Sequence, residues 1–203
     1  GMIMSEKYTV TITREFGSMG RPIARKLSEL LNIEFYDRDI VEETARKMDL
    51  PLSVISKVEE NQGSAYAKMK FPLGRFSRDR QDEIFEVQSE LIRNLAQKES
   101  CVIVGRCADY VLRDFDRCLN IYIYAPFEKR IENCVKYLGM DEDVAIKMTI
   151  EIDKARKQYH KKYANYYPAD INNKNLMIDS NFFGVEGTAD LIAKIVKDKL
   201  INQ

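Results

Sequence analysis

A short glycine-containing loop, Arg14 to Arg21, contains the residue types needed to bind phosphate. Gly17 and Gly20 allow backbone conformations that other residues avoid, and free N–H groups at the start of a helix attract phosphate. Arg21 can place a positive charge beside a phosphoryl group in transfer, and Ser18 can offer a hydroxyl. The loop is consistent with a phosphate site, although an ordinary glycine turn could contain the same residues.

The loop departs from the Walker A pattern G-x-x-x-x-G-K-[ST]. Glu15 stands at the position of the first glycine, Arg21 at the lysine, and Pro22 at the hydroxyl residue that binds magnesium. Arginine keeps the positive charge of lysine but not its compact ammonium group. Taken alone, the loop is therefore weak evidence for a nucleotide site.

Charged side chains also follow the next two predicted strands. Asp37 and Arg38 follow the second strand, and Gly105 and Arg106 follow the third. Ligands of open parallel sheets bind at the carboxyl ends of the strands, where an arginine can hold a phosphate with two hydrogen bonds. We expect Arg106 to bind phosphate. Asp37 and Arg38 could bind a nucleoside and its phosphate, or they could be a helix cap and a solvated pair.

One long predicted helix carries a cluster of basic side chains: Lys154, Arg156, Lys157, His160, Lys161 and Lys162. Such a cluster is usually a solvated face, and we expect His160 to belong to that face. The alternative is a lid whose arginine stabilises a transferring phosphate while the lid excludes water. A third interpretation, favoured by the tyrosines that follow, is a surface for single-stranded nucleic acid.

Five short apolar segments are predicted to be the strands that position these residues, at 8–13, 34–37, 101–104, 119–125 and 176–179. Helical patterns lie between and after them, at 22–31, 39–48, 82–97, 127–138, 141–162 and 185–200. This alternation predicts a parallel sheet covered by helices on both faces. The segment Asp49–Asp79 is the least regular, so we expect helical pieces joined by loops, or a mobile region.

The composition excludes several classes of protein. The chain has 203 residues with no formal net charge, which suits one domain and disfavours a duplex-DNA binder. Its four cysteines form no CxxC pair, and it has a single histidine, which argues against zinc. Scattered thiols, with no signal peptide and no apolar run long enough to span a membrane, predict a cytoplasmic protein.

Five segments, taken in order, resemble the cytidylate kinase-like family, a divergent branch of the CMP kinases. They are VTITREFGSMGRPIARKLSELLNIEFYDRDI, CVIVGRCADYVL, LNIYIYAPFEKRI, DKARKQYHKKYANYY and LMIDSNFFGVEGTADLI. The loop of that branch reads roughly REYGSGGR. The resemblance spans nearly the whole chain and implies one α/β domain over residues 1–203 with the three-layer P-loop NTPase fold. That fold has a five-stranded parallel sheet, here with a helical insert for the nucleoside monophosphate around 38–80 and a lid around 141–167.

The resemblance also implies roles for single residues. The phosphate loop and donor site would comprise Gly17, Ser18, Gly20 and Arg21, together with Asp179 and Ser180 near the donor adenine. The acceptor site would comprise Asp37, Arg38, Arg106 and Asp109, where Asp109 could replace an aspartate that the family has at the position of Cys107. The expected catalytic cations are Arg21, Arg106 and the lid residue Arg156.

The resemblance implies ATP-dependent phosphorylation of a nucleoside monophosphate, with CMP or dCMP as the first choice. It implies ATP and Mg²⁺ as cofactors, with Mg²⁺ bound through the nucleotide and no metal site of the protein's own. No nucleic-acid or membrane partner is expected. Because the Walker lysine and its hydroxyl neighbour are absent, two alternatives stay open: a nucleotide-binding regulatory protein without transfer, and a kinase for another small anionic acceptor.

Overall fold

A computed structural model describes residues 6–37 and 78–202. The predicted helix at 39–48, the segment Asp49–Asp79 up to residue 77, and Arg38 lie outside the described residues. The predictions of an insert for the acceptor nucleotide and of a role for Arg38 therefore stay predictions.

The described residues form one five-stranded sheet in which all neighbouring strands are parallel. The strands are β1 (Thr9–Arg14), β2 (Glu34–Tyr36), β3 (Cys101–Val104), β4 (Cys118–Tyr124) and β5 (Leu176–Asp179), in the spatial order β2-β3-β1-β4-β5. The predicted strands and the parallel sheet are confirmed. The central position of β1 places the loop after it at the middle of the carboxyl edge of the sheet.

Six α-helices surround the sheet in the described part of the chain: α1 (Gly20–Leu31), α2 (Arg78–Lys98), α3 (Ala108–Val111), α4 (Phe127–Leu138), α5 (Glu142–Ala164) and α6 (Ser180–Val196). A short 3₁₀ turn (Ile171–Asn173) precedes β5, and a π-helical turn (Lys197–Ile201) follows α6. The four-residue α3 was not predicted, because it is too short to show a helical period. Gly184 has a non-helical backbone within α6. The regular part of this helix therefore begins after Gly184, where the predicted helical pattern at 185–200 also begins.

Alternate residues of the central strands face the two helical layers. Val102 and Val104 belong to a buried cluster with Ile23 and Leu27 of α1 and Ile192 of α6. Cys101 and Ile103 of the same strand belong to a second cluster, with Ile92 of α2 and Leu112 just after α3. A third cluster joins Phe16 to the apolar sides of α4 and α5. The sheet is therefore buried on both faces, as parallel sheets usually are.

No helix within residues 6–37 or 78–202 is both long enough and apolar enough to cross a membrane.

Candidate functional site

The glycine-containing loop joins the carboxyl end of β1 to the first turn of α1. Gly17 (φ 80°) and Met19 (φ 67°) both adopt left-handed backbone conformations, which fold the chain back into the helix. The Ser18 hydroxyl is buried and donates a hydrogen bond to the Glu15 carbonyl over 2.7 Å. The structure therefore uses this hydroxyl, predicted to be a phosphate ligand, to hold the loop together.

An ion-pair network fixes the loop to α4 and α5. The buried guanidinium of Arg130 lies 2.6 Å from Asp153 Oδ2 and 3.3 Å from Glu15 Oε2, and it donates to the Phe16 carbonyl. Asp153 Oδ1 in turn accepts from the Phe16 backbone N–H over 2.8 Å. Burial raises the pKa of Glu15, and the charge of Arg130 opposes that shift. The network ties the loop to the predicted lid helix.

Close contacts fix the backbone of the loop from two further sides. Asn133 Nδ2 donates to the Gly17 carbonyl over 2.9 Å, and the Ser180 hydroxyl donates to the Ser18 carbonyl over 2.5 Å. A Cβ at Gly17 would lie 2.8 Å from the carbonyl oxygen of Arg130. Glycine is required there both by this contact and by the positive φ. The loop backbone is therefore held by contacts on several sides.

Three arginines meet around Asp37 at this edge of the sheet. Arg21 Nε lies 3.0 Å from Asp37 Oδ2, an ion pair in which the atoms are not aligned as a hydrogen bond. Burial lowers the pKa of Arg14 to about 10, with Asp37 opposing the shift and Arg106 and Arg21 adding to it. Burial likewise lowers the pKa of Arg106, against the charge of Asp37. Three cations converge near this carboxylate, which is an environment suited to a polyanion.

The turn after β3 stores backbone strain next to this cluster. Gly105, Arg106 and Cys107 have φ values of 73°, 60° and 55°, so three successive residues are left-handed. Such conformations are costly for residues other than glycine and concentrate at functional sites. Burial raises the pKa of the Cys107 thiol, with the charge of Asp109 adding to the shift. Cys107 is therefore a neutral packing residue, and the turn serves to direct Arg106.

Arg156, the predicted lid arginine, lies beside the loop. Its Nη1 donates to the carbonyl of Arg14 over 3.1 Å, and its guanidinium carbon lies 5.7 Å from the centre of the Phe16 ring. The structure therefore brings Arg14, Arg21, Arg106 and Arg156 to one edge of the sheet. Their roles toward a nucleotide stay predictions.

Asp109 lies in a different environment, within a buried cluster. Its Oδ2 accepts from Tyr166 Oη over 2.8 Å and from Lys174 Nζ over 2.5 Å, and it lies 3.2 Å from His160 Nε2. Burial alone would raise the pKa of Asp109, but His160 and then Lys174 lower it well below its usual range. The contacts that the structure shows for this carboxylate are all to protein groups, and its predicted contact with an acceptor nucleotide stays a prediction.

The prediction that His160 belongs to the solvated face of α5 was wrong. His160 is buried, because Asp109 offers it a charged partner beneath the helix. Its neighbours on the predicted basic face, Lys154, Lys157 and Lys161, are exposed as expected.

Asp179 and Ser180, the predicted donor-site pair, stabilise the start of α6. Asp179 Oδ1 accepts from the backbone N–H of Asn181 over 2.9 Å, as an N-cap does. Ser180 supports the phosphate loop through its hydrogen bond to the Ser18 carbonyl. Two exposed aromatic rings follow directly, Phe182 and Phe183, with centroids 4.9 Å apart.

Sequence reasoning missed Arg14 and Arg130 as site residues. Arg14 had a usable signal, because it is the last residue of a buried strand, much as Arg106 lies two residues after one. Arg130 had a weaker signal: it precedes the apolar residue Ile131 on a helix, and its partners Glu15 and Asp153 are distant in sequence.

Comparisons with known proteins agree on one family. A sequence model of the cytidylate kinase-like family matches residues 9–181. A cytidylate kinase of Methanocaldococcus jannaschii is 26% identical over 190 residues, covering 92% of this chain and 96% of that protein. A cytidylate kinase of Archaeoglobus fulgidus is 26% identical over 199 residues, covering 95% of this chain and 96% of its own length.

Solved structures share the fold. An uncharacterized protein from Eubacterium ventriosum superimposes with a TM-score of 0.73 at 27% identity, covering 95% of this chain and all of that one. A shikimate kinase from Acinetobacter baumannii superimposes with a TM-score of 0.54 at 15% identity, covering 97% of each chain. The predicted three-layer P-loop fold is thereby confirmed.

Proposed function

The chain belongs to the cytidylate kinase-like family, and on that premise we propose that it transfers a phosphoryl group from ATP to a nucleoside monophosphate. CMP and dCMP are the acceptors that we propose first, because the curated relatives are cytidylate kinases. The comparisons alone show that the chain is related to nucleotide kinases over most of its length.

The observation that carries the proposal is the meeting of four arginines at the phosphate loop. Arg14 and Arg21 flank the loop, Arg106 follows β3, and Arg156 reaches the loop from α5. Phosphoryl transfer places charge on the oxygens of the moving group and needs little covalent chemistry from the protein. Positioned cations are therefore the main requirement. Arginine side chains lie on both sides of the carboxyl end of β1.

These residues would act by alignment and by electrostatic stabilisation. Arg106 would hold the acceptor phosphate, because it follows the strand beside β1 and lies near Asp37. The phosphate loop would hold the donor phosphates with backbone N–H groups at the start of α1. Arg156 would stabilise charge on the transferred group from the lid side. An acceptor phosphate is already ionised, so the reaction needs no strong general base.

The nucleotide would bring its own Mg²⁺, bound chiefly by phosphate oxygens, whose negative charge it would offset. Within residues 6–37 and 78–202, no group of three or more His, Cys, Asp and Glu side chains is placed to hold a metal ion. The exposed rings of Phe182 and Phe183, next to Asp179, offer an apolar surface on which the donor base could stack.

The test is ADP release by the full chain with ATP, Mg²⁺ and a panel of CMP, dCMP, UMP and other monophosphates. We expect turnover with at least one pyrimidine monophosphate and a loss of about a hundredfold or more in Arg106→Ala. Arg113→Ala is the matched control, since Arg113 is exposed and packs on Tyr110. Folded protein without turnover on any monophosphate would reject the proposed kinase activity.

A second candidate function is nucleotide binding without transfer. It is favoured by Ser18, whose hydroxyl is engaged within the loop, and by Pro22 at the position of the magnesium-binding hydroxyl. Nucleotides would then raise the melting temperature of the protein while no ADP is released. The same panel, read by thermal shift, separates this function from the kinase, and no shift with any nucleotide would reject both.

A further inference from the structure

One side of α5 contacts the site at three successive turns of the helix. Asp153 accepts a hydrogen bond from the Phe16 N–H of the phosphate loop over 2.8 Å. One turn later, Arg156 donates to the carbonyl at the end of β1 over 3.1 Å. The next turn carries His160, whose Nε2 lies 3.2 Å from Oδ2 of Asp109. Residues three or four positions apart lie on the same side of a helix, so a single helix links the phosphate loop to α3.

The last of these contacts connects the surroundings of two arginines of the site. Asp109 follows Arg106 by three residues and lies on α3, directly after the left-handed turn at 105–107. His160 follows Arg156 by four residues on α5, which is about 6 Å along the helix axis. The contact between His160 and Asp109 is therefore three or four residues from each arginine.

This contact is buried, and its loss would not leave Asp109 without partners. The side chains of His160 and Asp109 are 6% and 1% exposed. Asp109 Oδ2 also accepts from Tyr166 and Lys174, which lie after the end of α5. Of these three partners, His160 alone lies on α5. A change at His160 therefore separates α5 from α3 while the carboxylate stays paired.

The turn that carries Arg106 depends on contacts from outside itself. At its start, the Gly105 N–H donates to the Ile12 carbonyl of β1 over 2.9 Å. The left-handed conformations of Arg106 and Cys107 are costly, and they persist only where the surrounding structure fixes them. The four residues of α3 are too few to form a stable helix by themselves. A contact from α5 at Asp109 therefore restrains the second end of the turn.

We propose that His160 is a positioning residue for the transfer: through Asp109 it fixes the turn that carries Arg106. The turn is thereby held in a set position relative to Arg156 on the same helix as His160. This inference rests on the proposed phosphoryl transfer. Without the contact, Arg106 would shift relative to the phosphate loop, whereas Asp153 would still hold the loop. Because transfer requires alignment of the acceptor with the donor, the rate would fall more than donor binding.

The first test compares the kinetics of the full chain with its binding of tripolyphosphate, which resembles the phosphate chain of ATP. His160→Phe fills the space of the imidazole but cannot donate a hydrogen bond. With ATP, Mg²⁺ and the monophosphate of fastest turnover, we expect kcat to fall by about ten- to a hundredfold. The KM for ATP and the affinity for tripolyphosphate, measured by calorimetry, should stay nearly unchanged.

Two further variants separate a positioning role from a loss of packing. The amide of His160→Gln can place an N–H where Nε2 lies, so this variant should recover part of kcat. Gln158→Ala, exposed on the same helix, is the matched control and should leave kcat unchanged. Equal kcat in His160→Phe and the unchanged protein, or no recovery in His160→Gln, would overturn the proposal.

Hydrogen exchange covers the case in which His160→Phe does not fold. His160→Asn is small and polar, and its shorter amide does not reach Asp109. We expect the amides of residues 105–112 to exchange faster in His160→Asn than in the unchanged protein, while those of residues 14–21 keep their rates. Equal exchange at 105–112 in the two proteins would contradict the role of His160.

The two proposals fail separately, because hydrogen exchange does not depend on catalysis. Unchanged protein without turnover on any monophosphate rejects the kinase activity, and faster exchange confined to residues 105–112 then still supports the contact from His160 as the restraint on the turn. Turnover that is equal in His160→Phe and in the unchanged protein keeps the kinase activity and rejects the positioning role.

Discussion

Asp37 and Asp109 follow neighbouring strands and are equally buried, each with 3% of its surface exposed, yet their surroundings are opposite. Asp109 Oδ2 lies within hydrogen-bonding distance of groups on His160, Tyr166 and Lys174. Asp37 has an ion pair with Arg21, but neither of its oxygens has a hydrogen-bond partner among the described residues. The Asp109 carboxylate accepts hydrogen bonds from several donors, whereas the Asp37 carboxylate lies near three arginines and pairs with one of them.

From this difference we predict a structural cluster around Asp109 and a ligand site around Asp37. A buried charge whose partners are all protein groups stabilises one arrangement of the chain, here α3 against the end of α5 and the segment before β5. A buried carboxylate that faces Arg14, Arg21 and Arg106 lies where three cations converge. Such a convergence of cations is typical of sites that bind an anion. The predictions below test whether this division holds.

The largest expected effect is that of Asp109→Asn on stability. The side chain of Lys174 is fully buried, with no exposed surface, so this substitution leaves a buried charge without its counter-charge. Removal of one partner from a buried pair costs about 3–5 kcal/mol. Urea unfolding at pH 7 should show this loss as a lower midpoint with an unchanged slope.

Asp190→Asn, on the exposed side of α6, is the matched control and should change stability by less than about 0.5 kcal/mol. If the cluster is structural, adding tripolyphosphate should not restore Asp109→Asn relative to the unchanged protein. If Asp109→Asn were as stable as the control, the cluster could not be called structural.

The next effect is a dependence on acid pH that belongs to the same cluster. The native pKa of Asp109 lies below its ordinary value of 3.8. A lowered carboxyl pKa stabilises the fold at pH above the unfolded value, and that contribution is lost as the pH falls through the native value. We therefore expect the unchanged protein to lose more stability than Asp109→Asn as the pH falls below about 4. Urea midpoints measured at pH 6, 5, 4 and 3 would check this, and parallel curves would contradict it.

The sequence predicted the sheet well but its charged contacts only in part. Buried apolar runs such as Cys101–Val104 are local signals, and each strand bound was correct to within one residue. Partners such as Arg130 and Asp153 lie 23 residues apart and meet Glu15 only through the fold. The inward turn of His160 depends on Asp109, which is 51 residues away. Local periodicity cannot show such pairings, because it reports which face a residue occupies and not what lies opposite.

A smaller effect is expected from Gly20→Ala, which tests how far Arg14 contributes to the positive charge near Asp37. The new Cβ would lie 2.7 Å from Arg14 Cγ, so the Arg14 side chain must move. Overpacking of this kind costs about 1–3 kcal/mol, and tripolyphosphate affinity should fall with it. Gly187→Ala, whose Cβ would lie 3.7 Å from its nearest neighbour, should instead be neutral or stabilising by about 0.4–1 kcal/mol. Chemical unfolding and calorimetry on both variants decide the point, and unchanged affinity in Gly20→Ala would count against the placement of Arg14.

The smallest expected change in stability is that of Asp37→Asn, and its size depends on the ligand. Without ligand, loss of the carboxylate removes the ion pair of Arg21, but Arg21 is partly exposed and can be solvated, so we expect a cost of about 1–2 kcal/mol. With tripolyphosphate, the missing negative charge should tighten binding by about 1 kcal/mol, or about fivefold. Saturating ligand should therefore offset much of the cost, which it cannot do for Asp109→Asn. Glu29→Gln, an exposed charge loss on α1, controls for overall charge and should leave the affinity nearly unchanged. Weaker tripolyphosphate binding in Asp37→Asn would show that Asp37 helps to build the anion site, and the contrast between the two carboxylates would then be lost.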